Sequence, residues 1–248
     1  MIDTREIALS TTDTRPRVPA ARLATRRKAG RESDENDDRA IVGSRPRFAL
    51  ADGAFTTARP EVWAEILAWA FVVDGLDVLD LDVLEELRAD WARRVHDEQL
   101  PWYALAKLQS GGAAAFVGVD VDVVGHRYQV VAVGDSCLLH LRAGRVIAAG
   151  PLDHPSQFGS RPPLISTRAG DRSHGDSIWA AEKPYLSGDQ LVLASDAAAK
   201  FLLKRHHSGE LLDLSAVPWN DCDFRVWVTA ARQEGMDNDD TTICLVEP

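Results

Sequence analysis

The sequence predicts an α+β domain in which sheets pack between helix layers. Two observations lead there. Apolar periodicity comes in blocks: short strand-like runs, two helix-length amphipathic stretches, a block of strands, then helices and a last strand. No internal repeat or sharp linker divides the 248 residues, a length that one large domain can occupy. The expected organisation is a loose tail or added edge strand over residues 1–18, followed by one domain over residues 19–248.

The elements follow in order. Residues 20–27 read as a strand ending before Gly30, and GRESDENDD as an acidic loop. A short strand over 39–42, a turn at Ser44-Arg45-Pro46 and a strand over 48–51 come next. After Asp52-Gly53 the period changes. Pro60 suits a first helical turn. Val62, Ile66, Trp69 and Val73 recur at helical spacing, with Trp63, Leu67 and Ala70 beside them, and Gly75 closes the helix. LDVLEELRADWARRVHDE predicts a second helix, with Asp82 and Glu85 as a capping box and Leu84, Leu87, Trp91 and Val95 facing inward. Trp63, Trp69 and Trp91 are therefore expected in helix cores. Pro101 breaks the pattern, and a short helix is expected over 102–109.

Beyond it, GGAAAFVGVDVD, HRYQVVAVGD, CLLHLRAG and RVIAAG read as strands joined by Gly-containing turns. Residues 150–175, rich in Pro, Ser, Gly and Arg, form a long loop, a class that is often functional. His154 and His174 in it are candidates to meet a ligand. LVLASD is a further strand, SDAAAKFLLKRH and FRVWVTAARQEG are helices, and DDTTICLVEP is the last strand. His206 and His207, beside Lys204 and Arg205, suit the negative end of a helix dipole.

Net charge is −10, which excludes a general basic footprint for nucleic acid. The longest apolar runs are too short or too polar to cross a bilayer, and the N-terminus lacks an apolar secretory core. Neither nucleic acid nor a membrane is an expected partner. Cys137 and Cys244 lie in apolar strand patterns and no Cys-x-x-Cys occurs, as in a protein of a reducing compartment. The expected location is cytoplasmic.

Acids recur at the ends of apolar strands. Asp52 follows FALA, Asp196 follows LVLAS, Asp239 and Asp240 precede TTICLV, and Asp37 and Asp38 precede RAIV. Singly, each reads as a cap or turn residue. Jointly, carboxylates gathered at one sheet rim repel unless a cation neutralises them, and Mg²⁺ or Mn²⁺ accept such oxygen ligand sets. Two such ions suit in-line attack of water on a phosphoryl group.

The chain resembles the metal-dependent protein serine/threonine phosphatases of type 2C, in their compact bacterial form. The resemblance runs in order through NDDRAIV, ALADGA, SGGAAAFVGV, VAVGDSCLLHLRAG, LVLASDA and DDTTICLV. It implies a four-layer α-β-β-α sandwich of two mainly antiparallel sheets flanked by helices. It also implies two ions, Mg²⁺ or Mn²⁺, held by Asp38, Asp52, the Gly53 carbonyl, Asp196 and Asp239, with Asp52 bridging both. Asp37, Asp240 and Thr242 occupy further motif positions, and Asp135 falls in a turn between core strands. The implied activity is hydrolysis of phosphoserine and phosphothreonine in proteins by a hydroxide between the ions, without a phosphoenzyme. A phosphoprotein substrate and a cognate serine/threonine kinase are the implied partners.

Several positions depart from the family. The phosphate-gripping arginine falls on Ser33, with Arg31 nearest and Arg27 or Arg39 as substitutes. Ala197 replaces a glycine, so the local turn is expected to differ. Lys107, Leu108 and Gln109 stand where a third metal site would need an acid. Ala197 and the displaced arginine favour a rival reading, a catalytically weak module that binds a partner. A third is a phosphohydrolase acting on small phosphates.

Overall fold

Strands that read as unbroken apolar runs are buried on both faces, and the layering explains why. The structure is a computed structural model that describes residues 19–32, 35–96 and 108–248. The segment 1–18, Ser33, Lys107 and most of the short helix expected over 102–109 lie outside the described residues. The strands are β1 (Ala20–Arg26), β2 (Asp38–Val42), β3 (Arg47–Gly53), β4 (Ala113–Asp122), β5 (Arg127–Val133), β6 (Cys137–Arg142), β7 (Arg145–Gly150), β8 (Ile165–Ser166), β9 (Trp179–Pro184), β10 (Gln190–Ala194) and β11 (Thr241–Glu247). One sheet runs β1-β11-β10-β6-β7 and the other β2-β3-β4-β5-β9, with β8 added on β4. The pairings are antiparallel.

Period-2 alternation sorts each strand between two cores. Phe48 and Leu50 of β3, Leu191 and Leu193 of β10, and Cys244 and Val246 of β11 meet between the sheets. The alternate residues face helices. Ala49 and Ala51 pack under α1 (Pro60–Trp69) and α2 (Leu81–Val95). Val192, Ala194, Ile243 and Leu245 pack under α3 (Asp196–His207) and α4 (Asp221–Gln233). The result is the α-β-β-α sandwich that the resemblance implied.

Local departures from expectation have physical causes. β3 continues through Asp52 and Gly53, because both pair with β4 at Ala115 and Ala114. The cap of α2 is Asp80, whose carboxylate accepts the Asp82 and Val83 N–H groups, and not Asp82. Glu85 instead accepts from Arg88 and from Gly170 N–H. Arg88, almost fully buried, shares the inner face with Leu84, Trp91 and Val95, while Leu87 is only half-buried. Trp63 and Trp91 are core residues, but Trp69 is 49% exposed and Val73 43%. The buried stripe runs instead through Trp63, Ile66, Leu67 and Ala70, into a wider turn over Ala70–Asp74 that Gly75 ends with positive φ. β9 was not expected, because WAAEKP lacks apolar alternation. As the edge beside β5 it tolerates Lys183 and Pro184.

The loop after β7 is tied to the helices by its distal half. Trp63 Nε1 donates to the Ile165 carbonyl at 2.8 Å, and Arg88 donates to the Ser166 and Asp171 carbonyls at 3.0 and 2.7 Å. Among the described residues no helix is long and apolar enough to cross a membrane, and the three cysteines are free.

A buried polar chain links the sheets. Tyr128 Oη of β5 lies 3.2 Å from His140 Nδ1 of β6, and His140 Nε2 lies 2.9 Å from Asp189 Oδ2. Arg142 donates two bonds to the same carboxylate, at 2.8 and 2.7 Å. Arg142 holds Asp189 below the usual carboxylate range, and burial lowers His140. A neutral imidazole donating from Nε2 and accepting from the tyrosine satisfies every bond. Because Asp189 is depressed in the folded state, its contribution is present above its unfolded pKa and fades as pH falls through the folded value. Asp189→Asn is expected to cost about 3 kcal/mol at pH 7 by urea unfolding. A loss well below 1 kcal/mol would contradict this role.

Candidate active site

Six aspartates from five stretches of chain line one cavity of about 490 Å³: Asp37, Asp52, Asp135, Asp196, Asp239 and Asp240. Strand pairing brings them there. Asp52 sits on β3 opposite Asp38 of β2. Asp196 opens α3 where β10 ends, and Asp239 and Asp240 immediately precede β11, the neighbour of β10. Asp135 lies in the turn from β5 of one sheet to β6 of the other. Gly134 there takes φ +103, and a Cβ on it would come within 2.6 Å of Ala115. The turn is structural, as expected, but it also delivers Asp135 to the cavity, which the sequence reading did not assign.

The carboxylates raise one another's pKa. Asp52 is held well above the usual carboxylate range by burial first, and then by the charges of Asp38, Asp196, Asp135 and Asp239. Asp38 is also raised well above it, by burial, against a hydrogen bond from Thr242. Burial, then Asp135 and Asp239, push Asp196 to about 7, and burial pushes Asp135 to about 6. Asp38 Oδ2 accepts from Thr242 Oγ1 at 2.7 Å, but its Oδ1 is buried with no hydrogen-bond partner. Asp240 plays another part: its carboxylate accepts the Lys28 and Asp37 N–H groups at 2.6 and 2.7 Å, pinning the loop between β1 and β2.

An all-oxygen set, several carboxylates kept from ionising together, and an orphaned buried oxygen fit a hard divalent cation. Among the described residues, no group of three or more His, Cys, Asp or Glu side chains is drawn closely enough around one point to hold an ion as arranged. The acids share a cavity without forming a closed cage. Gly53 lines the same cavity. A Cβ there would come within 2.8 Å of Pro60, so the first turn of α1 demands glycine.

Arg31 stands at the rim. It donates to Asp37 at 2.9 Å and lies 5.5 Å from the centre of the Phe55 ring, which lines the cavity. The hydrogen bond to Asp37 raises its pKa. Arg27 is committed to the Arg31 carbonyl, and Arg39 to the carbonyls of Asn36 and Asp38. Among the described residues, the arginine that lines the cavity is Arg161, from the long loop, with Ser160 and Pro162. The loop's composition signalled function, but nothing in it singled out Arg161. Neither histidine of the loop lines the cavity: His154 packs on His207, and His174 is buried. His206 is lowered by burial and by His207 and Arg145, opposing the cationic role expected of it at the helix end.

Ala197 causes no distortion. It lies in the first turn of α3 with φ in the ordinary range, so no glycine is required there. Its N–H turns to the Asp196 carboxylate.

No protein-family profile matches the chain, and no curated protein matches its sequence. Solved structures do match. The photosystem II phosphatase PBCP aligns with TM-score 0.60 at 15% identity, covering 93% of this chain and 98% of that one. The Mycobacterium tuberculosis serine/threonine phosphatase PstP/Ppp aligns with TM-score 0.58 at 17% identity, covering 93% and 98%. The catalytic domain of PstP, in complex with two manganese ions, aligns with TM-score 0.55 at 18% identity, covering 92% and 97%. The fold is that of the type 2C serine/threonine phosphatases.

Raised carboxylates have a stability consequence in metal-free protein. A carboxyl raised in the folded state contributes stability that is complete below its unfolded pKa and is lost as pH rises through the folded value. Between about pH 4 and 7, the metal-free protein should therefore lose stability at these groups. Asp52→Asn should raise the unfolding free energy at pH 7 in EDTA by on the order of 1 kcal/mol, read from a higher urea midpoint. A lowered midpoint would mean that the acids do not repel.

Proposed function

We propose that the protein is a metal-dependent phosphatase that hydrolyses phosphoserine and phosphothreonine in proteins. The observation that carries this reading is the meeting of Asp52, Asp196 and Asp239 around one cavity, with Asp38 behind Asp52. Asp38, Asp52, the Gly53 carbonyl, Asp196 and Asp239 would hold two ions, Mg²⁺ or Mn²⁺, after the side chains close inward. When bound, the ions supply counter-charge to the acids and the phosphate and lower the pKa of a water for in-line attack.

The chain's own residues do the rest. Thr242 orients Asp38 by its hydrogen bond, and the Asp240 contacts fix the approach of Asp37 and Asp38. Arg161 faces the cavity from the loop, and its planar fork suits phosphate oxygens. Arg31, tethered by Asp37, adds positive charge at the rim. Among the described residues no cysteine or histidine lines the cavity, and in this reading the attacking group is water. The substrate is a phosphoprotein, the product of a serine/threonine kinase. The free cysteines favour a reducing, cytoplasmic setting.

The rival module reading draws on the open arrangement of the acids. The two separate in one experiment. Hydrolysis of an aryl phosphate should require Mn²⁺ or Mg²⁺ and stop in EDTA. Asp52→Asn should reduce kcat about 10²-fold or more, and Arg161→Ala should raise KM about tenfold. Calorimetric Mn²⁺ binding without turnover, in folded protein, would replace the enzyme with the module.

A further inference from the structure

A second cavity, of about 250 Å³, adjoins the acidic one and has the opposite charge. Its cations are Arg26, Arg27, Lys28 and Arg31, from the end of β1 and the turn after it, and Arg225 and Arg232 of α4. Arg225, Val228, Thr229 and Arg232 follow the i, i+3, i+4, i+7 spacing of one helix face. No acid lines this cavity among the described residues.

Lys28 pairs with Asp239 and Arg31 with Asp37, both acids of the neighbouring cavity. Among the described residues, Arg26, Arg27, Arg225 and Arg232 make no ion pair. Arg232 Nη2 is bound to the Asp239 carbonyl at 2.7 Å, but its Nε is buried without a partner. In a chain of net charge −10, such a concentration of unpaired guanidiniums calls for an anion. The Phe55 ring links the two cavities: it lines the acidic one and lies 5.4 and 5.5 Å from the charges of Lys28 and Arg31.

We propose that the basic cavity binds a second anionic group of the same substrate, a phosphate or carboxylate on a residue flanking the phosphoserine or phosphothreonine in the acidic cavity. This rests on the phosphatase reading and narrows its substrate class to acidic or multiply phosphorylated peptide segments. Such a segment crosses Phe55 between the cavities. The net negative charge repels long polyanions, so a short ligand with two local charges is favoured over nucleic acid.

The test uses the full chain and two fluorescent peptides of one sequence, carrying either one phosphoserine or two at nearby positions. Anisotropy titrations at low salt should show the second phosphate tightening binding about tenfold or more. The Arg26→Ala/Arg225→Ala double variant should lose that gain while binding the singly phosphorylated peptide as before. Arg225→Glu, at an exposed position, should lose most of it without risk to folding. Mn²⁺-dependent aryl phosphate turnover serves as the control and should stay within about twofold. A second-phosphate gain that survives in both variants, or is absent in the unaltered protein, overturns the proposal. A single-stranded oligonucleotide that binds as tightly with the same Arg225 dependence, or inorganic phosphate that displaces the peptide at equal concentration, overturns the peptide assignment. If the unaltered protein shows the gain but no aryl phosphate turnover, the anion site stands and the phosphatase reading falls.

Discussion

Asp38 and Asp52 face each other across the β2–β3 ladder, and their burial among other acids is the constraint around which the site is arranged. Burial and neighbouring acids hold both far above the ordinary carboxylate range. A fold seeking stability alone would separate them or supply a basic partner. Here Arg31 is bound to Asp37 instead, and Arg39 to backbone carbonyls. Strain of this kind persists where a ligand is meant to relieve it. The oxygen-rich lining, with Asp38 Oδ1 left without a partner, indicates the sign of that ligand.

The surrounding structure holds the acids at their stations. Ser195 accepts the Thr242 N–H, joining β10 to β11 just where Asp196 and Asp239 emerge. Thr242 reaches across to Asp38, and also lies 2.7 Å from Thr25 on β1, so one hydroxyl connects both sheets. Arg232 fastens the carbonyls of Asp239 and Arg27 together. That arginine thus belongs to the acidic cavity through its bonds and to the basic cavity through its charge. At another level of the sandwich, the Tyr128–His140–Asp189 chain joins the sheets through satisfied polar contacts. There every group has its partner within the protein. At the acidic cavity the Asp38 Oδ1 atom has no such partner.

Much of this was legible from local pattern. The runs FALA, LVLAS and TICLV were recognisable as strands, because strands buried on both faces need apolar residues without interruption. The helices after Pro60 and before His206 showed their period. Trp69 and Val73 were misplaced because helical spacing defines a stripe without saying which side of it meets the sheet. β9 was missed because an edge strand tolerates charge and proline. The capping position of α2 slipped by two residues, since Asp80 and Asp82 offer the same chemistry and only backbone geometry distinguishes them.

By itself the sequence determined the chemistry present: which strands and helices form, and that acids stand at strand ends. Periods of 2 and 3.6 are local and can be read residue by residue. Tertiary structure decided which of those groups meet. Asp135 joins the acids because a tight turn carries the chain from one sheet to the other. Arg161 joins them because its loop is anchored to α1 and α2 through Trp63 and Arg88. The basic cavity exists because β1 and α4, about two hundred residues apart in the chain, pack side by side. Such meetings depend on pairings between distant segments, and charges reveal their purpose only once those pairings place them together.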